Sequence, residues 1–127
     1  MVLINSGSTH SFLNEATAHK LKCKMTHTTP LSMTVANGHK MYSHCKCVDF
    51  KWVKHDYEFK ADLRILELGG CDIILGMDWM RTVNPLTFDF NKLEVTVEME
   101  GRRLKLTGSL EQGECKTIKG SKLQKLF

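Results

Sequence analysis

The chain is short of several things, and each shortage narrows what it does. No apolar run approaches the roughly 20 residues a membrane helix needs, so no membrane partner is expected. Met1-Val2-Leu3-Ile4 is too short, and lacks the basic flank, to act as a secretory signal. The five cysteines, at 23, 45, 47, 71 and 115, are odd in number and irregular in spacing, and without a signal they read as reduced thiols. These features together predict a soluble, cytoplasmic protein. The first hundred residues have no charge excess, with 11 Lys/Arg against 12 Asp/Glu, and the net +4 comes from 7 against 2 in 101–127. The excess belongs to the tail and says nothing about the core's partners; Lys116, Lys119, Lys122 and Lys125 have no interleaved aromatics, Phe127 aside, so they read as a solvated connector and nucleic acid is not expected as a partner. No internal repeat appears, nor a linker long enough to separate two domains. A chain of 127 residues suits one domain with a single core.

What the chain does have is β-strand periodicity. Val48, Phe50 and Trp52 alternate with Asp49, Lys51 and Val53. A turn near Lys54-His55-Asp56 leads to Tyr57, Phe59, Ala61, Leu63 and Ile65, alternating with charged residues. Leu93, Val95, Val97 and Met99 repeat the pattern, and Glu100-Gly101 turns the chain into Leu104 and Leu106. Met33 and Val35 mark a strand before Asn37-Gly38, a pair suited to the positive φ values of a two-residue type I′ hairpin turn. Two short helices are expected. One runs from Glu15 to about Leu21, capped by Asn14 and packing Leu13, Ala16 and Leu21; the other is a turn at Met77–Met80. Cys23–Pro30 reads as a loop, and the polar, basic stretch after Gly108 as carrying no strand or helix.

The opening stretch is the most informative. Val2-Leu3-Ile4 is a short buried strand running into Asn5-Ser6-Gly7-Ser8-Thr9, small and polar residues that turn the backbone sharply. About 65 residues later comes Ile74-Leu75-Gly76, followed by Asp78-Trp79-Met80. The stretch from Leu3 to Phe12, the apolar-Gly segment and the hairpin between them resemble, in that order, the retropepsin-like aspartic proteases of gypsy-type LTR retrotransposon polyproteins. The resemblance covers residues 2–106. It implies a mostly β fold, a small antiparallel barrel with one or two short helices, and a protease domain over 1–108. Residues 109–127 would then be a basic tail leading to a following domain.

The resemblance also assigns roles. Asn5 stands where the family carries its catalytic aspartate, with Ser6 and Gly7 completing the catalytic motif. Ser8, Ala36, Asn37 and Gly38 fall where the loop and flap contact peptide substrate. No second Asp-Ser-Gly or Asp-Thr-Gly occurs, so a complete site requires a homodimer, each copy lending one loop. No cofactor or metal is implied. His44-Cys45-Lys46-Cys47 has soft ligands, but a C-x-C without a second half does not make a structural zinc site. Because the chain begins almost at the loop, Val2-Leu3-Ile4 is expected to leave an unpaired edge.

An asparagine pair cannot share a proton or act as a base, so the expectation is an aspartic endopeptidase fold with little or no turnover. The competing reading is a non-catalytic peptide-binding or dimerisation module. Asp72 and Asp78 read as strand-end and helix-start residues rather than as substitute acids.

Overall fold

In the computed structural model the described residues are 1–34, 38–107, 109–110 and 123–125. The chain is mostly β, as the alternating patterns require. Strand β1 (Val2–Asn5) and the short β2 (Phe12–Asn14) flank the first loop, and α1 (Glu15–Lys20) follows directly. Then come the long hairpin strands β3 (Thr26–Thr34), β4 (Lys40–Lys54) and β5 (Tyr57–Leu66), and a short inner strand, β6 (Ile73–Leu75). Helix α2 (Met77–Met80) and a 3₁₀ turn (Arg81–Val83) lead to β7 (Thr87–Asp89), β8 (Glu94–Met99) and β9 (Arg102–Thr107). Ser109–Leu110 (β10) and Leu123–Lys125 (β11) complete the set.

Eight strands form one curled sheet in the order β10-β11-β1-β6-β2-β5-β4-β3, and β7-β8-β9 make a second, antiparallel sheet. The centre of the large sheet mixes directions: β1 runs parallel to β6 and β2 parallel to β5, while β2 and β6 are antiparallel. Strands buried on both faces need apolar residues at every position, which is why Val2-Leu3-Ile4 and Ile73-Ile74-Leu75 are unbroken apolar runs. Alternation still sorts them. Val2, Ile4, Ile73 and Leu75 face the main core, with Phe59, Leu63, Trp79 and the inner faces of β8 and β9 (Val95, Val97, Leu104, Leu106). Leu3, Phe12 and Ile74 face the other way, joining Leu66, Leu68 and Cys71, with Leu31, Met33 and Met41 of the β3–β4 hairpin against them.

Several expectations are corrected. Strand β1 has no open edge, because β11 pairs with it antiparallel (Leu3 with Lys125, Asn5 with Leu123) on the side away from β6. Backbone pairing alone decides this, and a side-chain pattern does not reveal it. Pro30 lies within β3 rather than in a loop. It is tolerated because β3 is the edge strand and its register with β4 shifts between His27 and Leu31.

The β3–β4 ladder closes on Thr34 opposite Lys40. Of the turn expected beyond it at Asn37-Gly38, Asn37 lies outside the described residues, as do Val35 and Ala36. Left-handed two-residue turns join β4 to β5, where His55 and Asp56 have φ of 52° and 65° and Lys54 pairs with Tyr57, and β8 to β9, where Glu100 and Gly101 have φ of 49° and 75° and Met99 pairs with Arg102. In α1 the buried residue is Ala18, while Ala16 and Leu21 are exposed. Asn14 makes no side-chain cap; its Oδ1 accepts the Leu68 N–H at 3.1 Å. Cys71 is held in a disulfide, whereas Cys23, Cys45 and Cys47 are free thiols. Irregular spacing along the chain carries no information about distance across it. No helix among the described residues is long and apolar enough to cross a membrane.

Candidate active site

Strand β1 delivers Asn5 to its end, and the sequence turns immediately afterwards. Asn5 is fully buried, at 0 % exposure. Its Oδ1 accepts the Gly7 N–H at 2.9 Å, and its carbonyl accepts the Ser8 N–H at 3.1 Å. One residue thus closes a side-chain turn inside a backbone turn, the conformation Asn and Asp favour because the side-chain oxygen mimics a carbonyl. Ser6 and Gly7 are exposed at the tip of this loop. Ser8 is buried, and its hydroxyl donates to the His10 carbonyl at 2.7 Å. His10 is occupied within the turn, its Nδ1 lying 2.9 Å from the Thr9 hydroxyl.

The second signature packs directly behind this loop. A Cβ on Gly76 would stand 2.3 Å from the His10 carbonyl oxygen and 2.7 Å from that of Ser8, so only glycine permits the approach. The backbone then bonds across: Met77 N–H donates to Ser8 O at 2.8 Å and Asp78 N–H to Thr9 O at 3.3 Å. Ser11 and Asp78 lock the two segments. The Ser11 hydroxyl donates to Asp78 Oδ1 at 2.5 Å and accepts the buried Gly76 N–H at 2.9 Å, and the Ser11 N–H reaches Asp78 Oδ2 at 3.2 Å. The same carboxylate receives the Trp79 N–H at 2.7 Å. Asp78 therefore lies in the first turn of α2, one residue past the expected start, and also clamps the loop. That second role was not visible in the spacing, although a polar residue two positions beyond an invasive glycine is the signal to look for.

Asp72 anchors a different corner. It accepts from the Met1 ammonium and from the Thr17 hydroxyl, each at 2.6 Å. Burial pushes its carboxyl upward, but these hydrogen bonds and the nearby positive charges prevail and hold it below the ordinary carboxylate value.

The residues expected at the site thus divide. Asn5, Ser6, Gly7 and Ser8 form one hydrogen-bonded loop. Gly38 is exposed with φ of 86° and nothing near its Cβ position. Ala36 and Asn37 lie outside the described residues. The loop offers backbone N–H and carbonyl groups and two exposed tip residues, with the neutral amide of Asn5 buried beneath them. A cleft of about 490 Å³ lined by Lys51, Tyr57, Met99 and Leu104 does not include the loop. The Cys45 thiol turns to His27, with Sγ 3.7 Å from Nδ1.

A search of curated proteins finds no match to the chain. A family model described as retroviral aspartyl protease matches residues 1–103, the span that holds the loop, the hairpin and the Gly76 segment behind the loop. With its loop, backing glycine and six of the curled sheet's eight strands inside that match, the chain belongs to the retroviral aspartyl protease family.

Proposed function

We propose that this chain is the protease domain of a gypsy-type retrotransposon polyprotein, with Asn5 in the place of the catalytic aspartate. Residues 1–108 hold the family's motifs, and the basic 109–127 stretch adds β10 and β11 to the same sheet beside β1 rather than acting only as a connector to a following domain. The working unit is a homodimer in which two loops face each other across a two-fold axis and the β3–β4 hairpins close over a polyprotein segment. The observation that carries this reading is Asn5 itself. It is buried at the end of β1, with its side-chain oxygen holding the Gly7 N–H and with Gly76 packed behind.

In an aspartate pair, two carboxylates share one proton because like charges so close cannot both ionise. The ionised member takes a proton from water as it attacks the scissile carbonyl, and the protonated member polarises that carbonyl. Ser6, Gly7 and Ser8 position the loop and contact the peptide, and Ala36, Asn37 and Gly38 do so from the hairpin. An amide supports neither proton transfer. General acid–base catalysis is worth about 10²–10⁴ in rate, and groups acting as a unit fail together, so the native chain is expected to bind peptide without cutting it. The same hydrogen bond to Gly7 is available to a carboxylate oxygen, so Asn5→Asp should leave the loop intact.

The test compares the native chain with Asn5→Asp on a library of peptides. Cleavage that appears only in the variant and is blocked by pepstatin supports the proposal. A folded, dimeric variant with no cleavage, or robust cleavage by the native chain, refutes it. The second reading, a peptide-binding module, rests on the undisturbed loop geometry around Asn5. It predicts saturable peptide binding by the native chain and no gain of cleavage in the variant.

A further inference from the structure

Joining an asparagine Cγ to the backbone nitrogen of the next residue closes a five-membered ring over bonds already in the chain, so no distant group has to approach. The fold decides which asparagine is set up for it. Asn5 is followed by the small, exposed Ser6 and Gly7. Its Oδ1 accepts the Gly7 N–H at 2.9 Å, a donor placed on the atom that turns negative when Cγ is attacked. The other described asparagines differ. Asn84 precedes Pro85, whose nitrogen has no proton to lose. The Lys92 N–H, next to Asn91, is bonded to Asp89 Oδ1 at 3.0 Å. Asn14 is paired within β2, and its neighbour Glu15 is fixed as the first residue of α1. Asn37-Gly38 lies partly outside the described residues.

We propose that Asn5 is a self-modification site, whose amide deamidates through a succinimide so that a loop made silent acquires a carboxylate with age. The inference rests on the reading of Asn5 as the catalytic position. The Ser6 backbone nitrogen attacks Asn5 Cγ, the bond from Cγ to the side-chain nitrogen breaks, and ammonia leaves with the Ser6 N–H proton. Water then adds at Cγ and the new Cγ–N bond breaks, which restores the ordinary peptide link and leaves a carboxylate on residue 5. In sum one amide and one water give one carboxylate and one ammonium ion. Water addition at the main-chain carbonyl would instead insert a methylene into the backbone where residue 5 pairs with Leu123, so the fold disfavours that product.

Full burial of Asn5 does not oppose the first step, because ring closure uses no water. Water is needed only afterwards, beside a loop whose tip is exposed. The Gly7 N–H serves the same oxygen throughout, first on the amide, then on the ring carbonyl and last on the carboxylate. Catalysis by the proposed dimer needs a carboxylate from each copy. With half of the chains converted, about a quarter of randomly paired dimers hold two, so activity follows the square of the converted fraction.

The test holds the full native chain in mildly alkaline buffer, folded or in urea, and maps its peptides at intervals. The residue-5 peptide is expected to gain about 1 Da with an ordinary aspartyl link. Conversion should run about fivefold faster folded than in urea, the worth of the one hydrogen bond to Gly7. Peptides holding Asn14, Asn84 and Asn91 should stay unchanged in the folded chain, and pepstatin-sensitive cleavage should rise as the square of conversion. Ser6→Pro removes the attacking N–H and should stop conversion even in urea, where folding is not in question. An unchanged residue 5, slower conversion folded than in urea, an isoaspartyl product alone, or conversion that survives Ser6→Pro would overturn the proposal. A native chain that never changes beside an active Asn5→Asp sinks this inference alone. Conversion without cleavage, beside an inactive Asn5→Asp, sinks the protease reading and leaves the modification standing.

Discussion

Replacing Gly76 by alanine tests whether the segment after β6 backs the loop that carries Asn5. The new Cβ would lie 2.3 Å from the His10 carbonyl oxygen, 2.7 Å from that of Ser8 and 2.9 Å from the His10 carbonyl carbon. All three are backbone atoms, so no side chain can swing aside. The backbone of Gly76, at φ −103° and ψ −165°, suits any L-residue, so the cost is steric rather than conformational. Restoring contact at about 3.5 Å moves Ser8–His10 back by roughly 1 Å. That retreat stretches the bonds from Met77 N–H to Ser8 O and from Asp78 N–H to Thr9 O, now 2.8 and 3.3 Å. Overpacking of this kind costs about 1–3 kcal/mol, and each weakened bond about 1 kcal/mol. The expected loss is therefore about 3–5 kcal/mol, against a total stability of about 5–15 kcal/mol. Urea unfolding followed by tryptophan fluorescence reads it, since Trp79 is buried three residues from the substitution. Gly101→Ala is the control, with nothing within 4 Å of its Cβ but φ of +75°, and about 1–2 kcal/mol is expected there from left-handed strain. If Gly76→Ala costs no more than this control, the close approach between the two signatures is wrong.

Three further outcomes are expected. Asn14→Ser keeps a cap-competent oxygen but cannot reach Leu68 N–H, so it should destabilise by about 1–3 kcal/mol, nearly as much as Asn14→Ala; a harmless serine in thermal unfolding would restore the capping role. Ser11→Ala strips the buried Gly76 N–H of its acceptor, at about 1–3 kcal/mol, and combined with Asp78→Ala it should cost less than the two single losses together. Strict additivity in that cycle would mean that the two residues do not act as one clamp. The folded Asp72 carboxyl sits below its unfolded value, so its contribution is whole above the unfolded value and fades as pH falls through the folded one. Asp72→Asn should flatten the decline in stability below about pH 4, and an identical acid limb in variant and native chain would contradict the assignment.

Local features were legible where local chemistry decides them. The alternation of β4 and β5, the apolar run of β6 and the short α2 all follow from side-chain type along a few residues. Of the expected turns, Asn37-Gly38 falls partly outside the described residues, while His55-Asp56 and Glu100-Gly101 are both tight and left-handed. At His55-Asp56 the flanking strands set the register, and Asp tolerates the left-handed region well enough to follow. The loop around Asn5 was readable because a buried strand, a turn-forming Asn and a glycine fall together. The Ser11–Asp78 clamp was not, since its partners are 67 residues apart and each looks ordinary in its own surroundings. Strand β11 beside β1 was missed for the same reason: its placement depends on which backbone edge is open, and a polar, basic stretch does not advertise that.

The parallel pairing of β1 with β6 has a kinetic consequence. Val2 lies opposite Ile73 and Ile4 opposite Leu75, contacts that span 71 positions, while β4–β5 and β8–β9 close across two-residue turns. Loop closure over the longer span is entropically slower to reward, so the hairpins should zip first. Within this domain the residues synthesised first are then among the last to be organised. In a stopped-flow series, Leu3→Ala and Ile74→Ala should speed unfolding far more than they slow refolding, with φ-values near zero.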